Sequence, residues 1–309
     1  MPPRLFTVRL LLTMAAISAA YLLVSWWLIG FKQEQVFLVV LCNVLFFASM
    51  ATRSFIIAFS VFIIYWIIFD YMKAFPNYRY QPVHIESIYN AEKSIFGITT
   101  SGGQKITPNE YWQLHTSKGL DLLAGIFYLC WIPVPLMFGL YLYFKKKTQF
   151  YYFAFTFLLV NLLGFVVYYA YPAAPPWYVS KYGFTFHAAT PGNTAGLARF
   201  DALVHAGIFQ SLYAKSSNVF AAMPSLHSSY PVIVFYYAVK NKVGLINIVF
   251  ATVMVGIWFS AVYTNHHYIL DVLAGITCAI TGTWLFTLVR KKWFPEKEVS
   301  GLTAAAVNG

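Results

Sequence analysis

Two ionisable residues in the last apolar segment, His267 and Asp271, have the spacing of a catalytic pair. Side chains four residues apart lie on one face of a helix, so Asp271 can accept a hydrogen bond from one ring nitrogen of His267. The other ring nitrogen is then available as a nucleophile or a base. The same spacing also suits a structural His–Asp pair at a helix end, and the spacing alone leaves both interpretations open.

A third histidine, His227, lies in the segment Met-Pro-Ser-Leu-His-Ser-Ser-Tyr-Pro (223–231) at the start of another apolar run. Ser225 or Ser228 can cap a helix that begins here, and Pro231 is tolerated in a first helical turn. His227 then lies at a helix N-terminus, where backbone N–H groups favour a phosphate. A histidine that gains a proton when phosphate binds can serve as a general acid. The plainer interpretation is a serine-capped helix with a bystander histidine.

The elements that position these residues are apolar. The 309-residue chain is 60% hydrophobic and only 10% charged, whereas a soluble globular chain carries about 25% charged residues. This composition excludes a soluble enzyme, a disordered protein and, despite the net charge of +11, a nucleic-acid binder. It predicts a polytopic membrane protein. The three cysteines lie in apolar runs and indicate neither a disulfide framework nor a metal site.

We predict an all-α, polytopic membrane helix bundle of about eight spans. Basic clusters fall on one side of these spans, which predicts that both termini are cytoplasmic. Two long loops, 72–119 and 172–226, then face outward, and the spacing of apolar residues in 81–97 indicates an interfacial helix. The predicted spans are approximately 7–30, 36–51, 54–71, 120–144, 149–171, 227–239, 243–264 and 268–289.

The two histidine segments together resemble the type-2 phosphatidic acid phosphatase superfamily, which has a Pro-Ser-x-His block and a later Ser-Arg-(five)-His-(three)-Asp block. The matching residues are Pro224, Ser225 and His227 in the first block and Ser260, His267 and Asp271 in the second. The resemblance implies that His267 is the nucleophile that forms a phospho-histidine and that Asp271 orients it. It further implies that His227 protonates the leaving alcohol, that Ser225 helps to bind the phosphoryl oxygens, and that no metal or other cofactor takes part.

The chain departs from that pattern because Ala261 replaces the arginine of the second block, and a Lys-(six)-Arg-Pro block is missing. It is similar instead to the inositol phosphorylceramide synthase branch. The shared motifs are Ala-Pro-Pro-Trp-Tyr at 174–178, Gly-Leu-Ala-Arg-Phe-Asp at 196–201 and His-His-Tyr at 266–268. This resemblance covers roughly 85–290. It implies a phosphotransferase of sphingolipid metabolism that moves phosphoinositol from phosphatidylinositol to ceramide or dihydroceramide and releases diacylglycerol.

Positive charge must still surround the phosphoryl oxygens. We expect Arg199 to supply it, because a guanidinium grips phosphate with two donors. Asp201 can pair with Arg199 or with an inositol hydroxyl, and Trp177 and Tyr178 either anchor the membrane interface or form a rigid lip near the lipid headgroup. The full set of predicted substrate-binding residues is Ser225, Arg199, Asp201, Trp177, Tyr178 and His266.

The predicted organisation is an N-terminal helix pair in 1–53, a six-span catalytic core in 54–294 and a flexible cytoplasmic tail in 295–309. The active site faces the periplasm or a lumen, with a bacterial inner membrane favoured. Two other functions remain open at this point. One is a lipid phosphate phosphatase of the same superfamily, and the other is a proton-coupled transporter whose His–Asp pair relays protons.

Overall fold

The computed structural model describes residues 5–188, 190–214 and 218–293, so the predicted tail 295–309 lies outside the described residues. The predicted all-α fold is confirmed, and strands are limited, among the described residues, to one short antiparallel pair, β1 (Ile98–Thr99) and β2 (Lys105–Ile106). The α-helices, in chain order, are α1 (Val8–Ile29), α2 (Gln33–Ala48), α3 (Met50–Tyr71), α4 (Glu86–Phe96), α5 (Pro108–Leu114), α6 (Lys118–Leu129), α7 (Pro133–Lys145), α8 (Lys147–Ala170), α9 (Pro176–Tyr182), α10 (Leu197–Leu203), α11 (Ile208–Ala214), α12 (Leu226–Lys240), α13 (Ile246–Tyr263) and α14 (Ile269–Trp293).

The described residues form two compact units, one drawn from 5–75 and 288–293 and the other from Pro76–Thr287. The first unit holds the α1–α3 helices. The close break between α2 and α3 lies at Ser49, whose extended backbone interrupts the helix while its side chain accepts a hydrogen bond from the Thr52 amide. The third predicted span, 54–71, therefore lies in the same compact unit as the first two spans. The predicted division between an N-terminal helix pair and a catalytic core at residues 53 and 54 stays a prediction.

Each of the eight predicted spans corresponds to helix in the structure. Within the described part of the chain, five helices are individually long and apolar enough to cross a membrane, namely α1, α3, α8, α13 and α14. The bent pair α6 and α7 makes a sixth candidate. The remaining two, α2 and α12, are shorter, with 16 and 15 residues.

The prediction that the fourth span, 120–144, is a single helix was wrong. The structure breaks it into α6 and α7, which meet at a bend of 40°. Pro133 opens α7, and a proline ring removes a helical hydrogen bond and clashes with the preceding turn. The break leaves Trp131 between the two helices, where its ring packs against His227.

The second unit is held together by buried aromatic residues and by hydrogen bonds between helices. Tyr230 on α12 donates to Asn161 Oδ1 on α8 at 2.7 Å, and Tyr237 donates to the Tyr152 carbonyl at 3.0 Å. Such bonds join helices where apolar surroundings offer polar atoms few other partners. The predicted helix in 81–97 is present as α4, and its residue Glu92 is fully buried.

Candidate active site

His227, His267 and Asp271 meet where three helix ends converge in the second unit. His267 Nε2 lies 3.4 Å from His227 Nδ1, and His267 Nδ1 lies 3.5 Å from Asp271 Oδ2. His227 belongs to the first turn of α12, whereas His267 lies in the turn that joins α13 to α14. The structure therefore brings together the three residues that the sequence singles out for catalysis, and their catalytic roles stay predictions.

The turn before α14 is organised by backbone hydrogen bonds. The Ala261 carbonyl accepts from the amides of both His266 and His267, at 3.1 and 3.0 Å. Asp271 Oδ2 accepts from the Tyr268 amide at 2.9 Å, which is the reach-back bond of a helix cap. Asp271 thus holds the turn through one oxygen atom that also faces His267.

A backbone contact joins the start of α12 to α14. The Ser225 amide donates to the Asp271 carbonyl at 2.9 Å, and Ser228 Oγ donates to Ser225 Oγ at 3.0 Å. Ser225 is fully buried and takes the N-cap position predicted for it, without a side-chain cap bond. Pro231 lies in the second turn of α12, not the first. The N-terminus of α12, where the helix dipole is positive, therefore lies at Ser225, two residues before His227.

The two adjacent histidines in the turn are buried and uncharged at neutral pH. Burial lowers the pKa of His267 to about 4, and a hydrogen bond with the Ala222 backbone acts in the opposite direction. Burial, together with the nearby His267, lowers the pKa of His266 to about 3. A neutral imidazole keeps the lone pair that a nucleophile needs.

Three aromatic residues that the sequence did not single out surround the histidines. The Tyr128 hydroxyl lies 3.2 Å from His227 Nδ1, and Trp131 packs edge-on against the His227 ring at 4.4 Å. Tyr213 stacks on His266 at 4.5 Å. Tyr128 and Trp131 lie in an apolar run and Tyr213 lies in the mixed sequence of the predicted loop 172–226, so their local sequence carries no signal of this position.

His266 does not share the place of His267. Its Nε2 atom lies 2.9 Å from the Thr194 carbonyl, and its ring stacks on Tyr213 and, more distantly, on Tyr128. The two adjacent histidines therefore face different partners. Substrate binding by His266 stays a prediction.

Arg199 has a carboxylate partner that the sequence analysis did not identify. Its Nε donates to Asp121 Oδ1 at 2.6 Å and its Nη1 donates to Gln113 Oε1 at 3.2 Å. Tyr263 donates to the same Asp121 oxygen at 2.8 Å. Arg199 Nη2 is buried and has no hydrogen-bond partner among the residues that the structure describes. The predicted contact of Arg199 with phosphate stays a prediction.

Asp201 does not pair with Arg199 among the residues that the structure describes. Its carboxylate oxygens accept from the amides of Phe209 at 3.1 Å and Gln210 at 2.9 Å, so it caps α11. The expected pairing of Asp201 with Arg199 is not present among the described residues, because the Arg199 guanidinium pairs with Asp121 instead. A bond from Asp201 to an inositol hydroxyl stays a prediction.

Trp177 and Tyr178 are buried in an aromatic cluster and do not line an open lip. Trp177 is 6% exposed and Tyr178 is fully buried, and both pack with Phe220. The Tyr178 hydroxyl donates to the Thr185 carbonyl at 2.7 Å, and the Trp177 amide donates to the Asn265 carbonyl at 3.0 Å. The motif therefore braces the turn that carries His267, and direct substrate contact by its rings stays a prediction.

Comparisons with known proteins identify a family and several similar proteins. A family match to the PAP2 superfamily covers residues 106–285. The phosphoinositol dihydroceramide synthase of Bacteroides thetaiotaomicron is 48% identical over 277 residues, which cover 89% of this chain and 90% of that protein. No solved structure matches the chain.

Fungal proteins are similar over a smaller share of their length. The inositol phosphorylceramide synthase catalytic subunit AUR1 of Saccharomyces cerevisiae is 29% identical over 75% of this chain and 58% of its own length. The inositol phosphorylceramide synthase of Candida albicans is 29% identical over 59% of this chain and 39% of its own length.

Proposed function

Because the chain belongs to the PAP2 superfamily, we propose that it is an integral membrane transferase that moves phosphoinositol from phosphatidylinositol to ceramide or dihydroceramide. The observation that carries the chemistry is the meeting of His227, His267 and Asp271 at three helix ends, with 3.4 Å between the two histidine rings and 3.5 Å between His267 Nδ1 and Asp271 Oδ2. The substrate class follows from the relatives, whose names describe synthesis of inositol phosphorylceramides.

In the first half-reaction, His267 Nε2 attacks the phosphorus of phosphatidylinositol and forms a P–N bond. The bond between phosphorus and the glycerol oxygen breaks, and His227 gives its proton to that oxygen, so diacylglycerol leaves as the alcohol. Asp271 faces the other nitrogen of His267 at 3.5 Å and stabilises the positive charge that the ring gains. At this distance the two groups face each other without a hydrogen bond, and catalytic contacts often tighten only when substrate binds.

In the second half-reaction, His227 takes the proton of the primary hydroxyl of ceramide or dihydroceramide. The hydroxyl oxygen attacks phosphorus, the P–N bond breaks, and inositol phosphorylceramide leaves. An in-line transfer places the attacking and leaving atoms on opposite sides of phosphorus. The two histidine rings, now 3.4 Å apart, must therefore separate when the lipid enters.

The orientation in the membrane is also part of the proposal. Basic residues follow α7, α12 and α14, whereas the catalytic histidines lie at the other end of α12 and α14. Since basic residues stay on the cytoplasmic side, both termini are cytoplasmic and the active site faces the periplasm or a lumen. Both lipids then reach the site from within the bilayer.

The test uses the full-length protein in detergent with phosphate-labelled phosphatidylinositol, with and without dihydroceramide and without added metal. We expect a new labelled lipid only when dihydroceramide is present. The variant His267→Ala should form none, while the control His115→Ala, which removes an exposed histidine of another loop, should retain full activity. Without the acceptor, an acid-labile label should accumulate on the wild-type protein and not on His267→Ala.

Two outcomes would contradict the proposal. Release of water-soluble inositol phosphate at the same rate with or without dihydroceramide would make the protein a hydrolase of the same superfamily. Normal lipid transfer by a folded His267→Ala variant would remove His267 from the mechanism and, with it, the phospho-histidine.

A further inference from the structure

Glu92 of α4 holds the first turn of α14, although it lies 177 residues earlier in the chain than Ile269. Its Oε1 accepts from the Ile269 amide at 2.9 Å and its Oε2 accepts from the Leu270 amide at 3.1 Å. The side chain is fully buried. A carboxylate in such surroundings is costly unless bonds of this kind compensate it.

These bonds complete the support of the turn that presents His267. The first amides of a helix have no partner inside the helix. Asp271 accepts from the Tyr268 amide, and Glu92 accepts from the next two, so two carboxylates hold three successive amides. Any shift of this turn changes both the distance from His267 to Asp271 and the distance from His267 to His227.

We propose that Glu92 is a positioning residue for phosphoryl transfer, which fixes the α14 turn so that His267 meets both Asp271 and His227. The proposal rests on the proposed function for its chemistry. Its geometric part, that Glu92 orders the turn, stands independently of which lipid the enzyme uses.

The ionisation of Glu92 supplies a readout that simple packing would not. Burial raises the pKa of Glu92 to about 7 and the charge of Asp271 adds to this effect, while the two amide bonds act in the opposite direction. Tyr268 lies beside Glu92, and burial raises the pKa of Tyr268. Four acidic side chains add to this increase, namely Asp271 on α14, Glu92 and Tyr89 on α4, and Glu110 on α5.

The sign of the pH effect follows from the two hydrogen bonds. Ionised Glu92 accepts from both amides, whereas a proton on one oxygen weakens one of these bonds, so kcat should rise with pH through about 7. The effect on stability has the opposite sign. Because the folded-state pKa lies above the ordinary 4.5, the contribution of Glu92 to stability is complete below pH 4.5 and is lost as the pH rises through about 7.

The test compares Glu92→Gln with Glu86→Gln, which makes the same change on an exposed residue in the first turn of α4. In Glu92→Gln the side-chain NH2 group is a donor and faces a backbone N–H, which is also a donor. One of the two hydrogen bonds to the α14 amides is therefore lost, while the side chain keeps its size. We expect kcat of Glu92→Gln to fall about 10- to 100-fold, with KM for both lipids changed by less than about 2-fold. The rise in kcat through pH 7 should disappear, and Glu86→Gln should match the wild type.

Hydrogen exchange of the peptide that contains His267–Val272 gives a second measurement, which needs no turnover. Exchange should be faster in Glu92→Gln than in Glu86→Gln. If Glu92→Gln does not fold, Glu92→Asp keeps the charge with a shorter reach, and it should lose less activity and retain the pH-dependent rise. Wild-type kcat with an unchanged pH profile in Glu92→Gln would overturn the proposal. A wild-type protein without lipid transfer would instead contradict the proposed function. In that case, equal exchange in Glu92→Gln and Glu86→Gln would overturn the role of Glu92 as well.

Discussion

Gly275 sets how closely α14 approaches the start of α12, and Gly275→Ala tests whether that approach controls catalysis. A Cβ atom at this position would overlap the carbonyl oxygen of Ser225 and would lie 3.0 Å from the carbonyl carbon of Ser225 and 3.3 Å from Ser229 Oγ. Ser229 Oγ also donates to the Gly275 carbonyl at 2.7 Å. The obstacle is backbone, so the helices themselves must move.

The expected magnitude follows from that overlap. Relaxed carbon contacts need about 3.5–4.0 Å, so the start of α12 must retreat from α14 by about 1 Å. His227 lies two residues after Ser225, and its 3.4 Å approach to His267 should lengthen accordingly. A misplacement of about 1 Å can reduce catalysis about 100-fold, which corresponds to about 2.7 kcal/mol in the activation barrier. Overpacking costs about 1–3 kcal/mol of stability, and the better helix propensity of alanine returns about 0.5–1 kcal/mol.

The assay measures kcat for lipid transfer together with the midpoint of thermal unfolding. Gly282→Ala is the matched control, because a Cβ atom there would meet the Val160 side chain on α8, two turns further along the same helix. Both variants should lose comparable stability, and only Gly275→Ala should lose most of its kcat. Near wild-type kcat in a folded Gly275→Ala protein would refute the reasoning, as would an equal loss of kcat in Gly282→Ala.

Other perturbations probe the support of the site. Arg199→Met leaves the buried Asp121 without its 2.6 Å partner and should destabilise the protein by about 2–3 kcal/mol; Asp121→Asn in the same variant should restore part of this loss in a thermal melt. Asp201→Ala removes the cap of α11 and should cost about 1 kcal/mol, and a changed preference among donor lipids would contradict this purely capping role. The pKa values of His266 and His267 are lowered to about 3 and 4. Their contribution to stability is therefore complete above pH 6.5 and should be lost as the pH falls toward 4. A melting temperature that does not change from pH 7 to pH 4 would contradict this prediction.

The meeting of His227, His267 and Asp271 could be predicted because each of the two segments that carry them has a local pattern. His267 and Asp271 are four residues apart, and His227 lies beside a serine and proline pattern that starts a helix. The positions of the spans followed from hydropathy alone. The bend between α6 and α7 was missed although Pro133 is visible in the sequence, because a proline inside an apolar run is compatible with both a kinked span and a broken one.

The support of the site could not be predicted, because its partners are far apart in the chain. The bond from Asn109 to the His267 carbonyl spans 158 residues, and the Arg199–Asp121 pair spans 78. Periodicity identifies the buried face of a helix but not the distant residue that will face it. For Glu92, the amphipathic pattern of α4 gave the helix, and only the fold shows that its carboxylate reaches the start of α14.

The distribution of acids explains how such a site accommodates a negatively charged phosphodiester. The chain has only 10 acidic residues, and those in the second unit around the site bond to backbone amides or to a cation. Asp201, Glu92 and Asp271 accept from helix amides, and Asp121 holds Arg199. Each of these four carboxylates therefore already has at least one hydrogen-bond or ion-pair partner within the protein. Ala261 stands in place of the arginine of the second motif block, and the partial positive charge at the start of α12, two residues from His227, favours an anion at this place. The close packing at Gly275 and the turn held by Glu92 keep that helix end beside His267, so positioning and electrostatics depend on the same contacts.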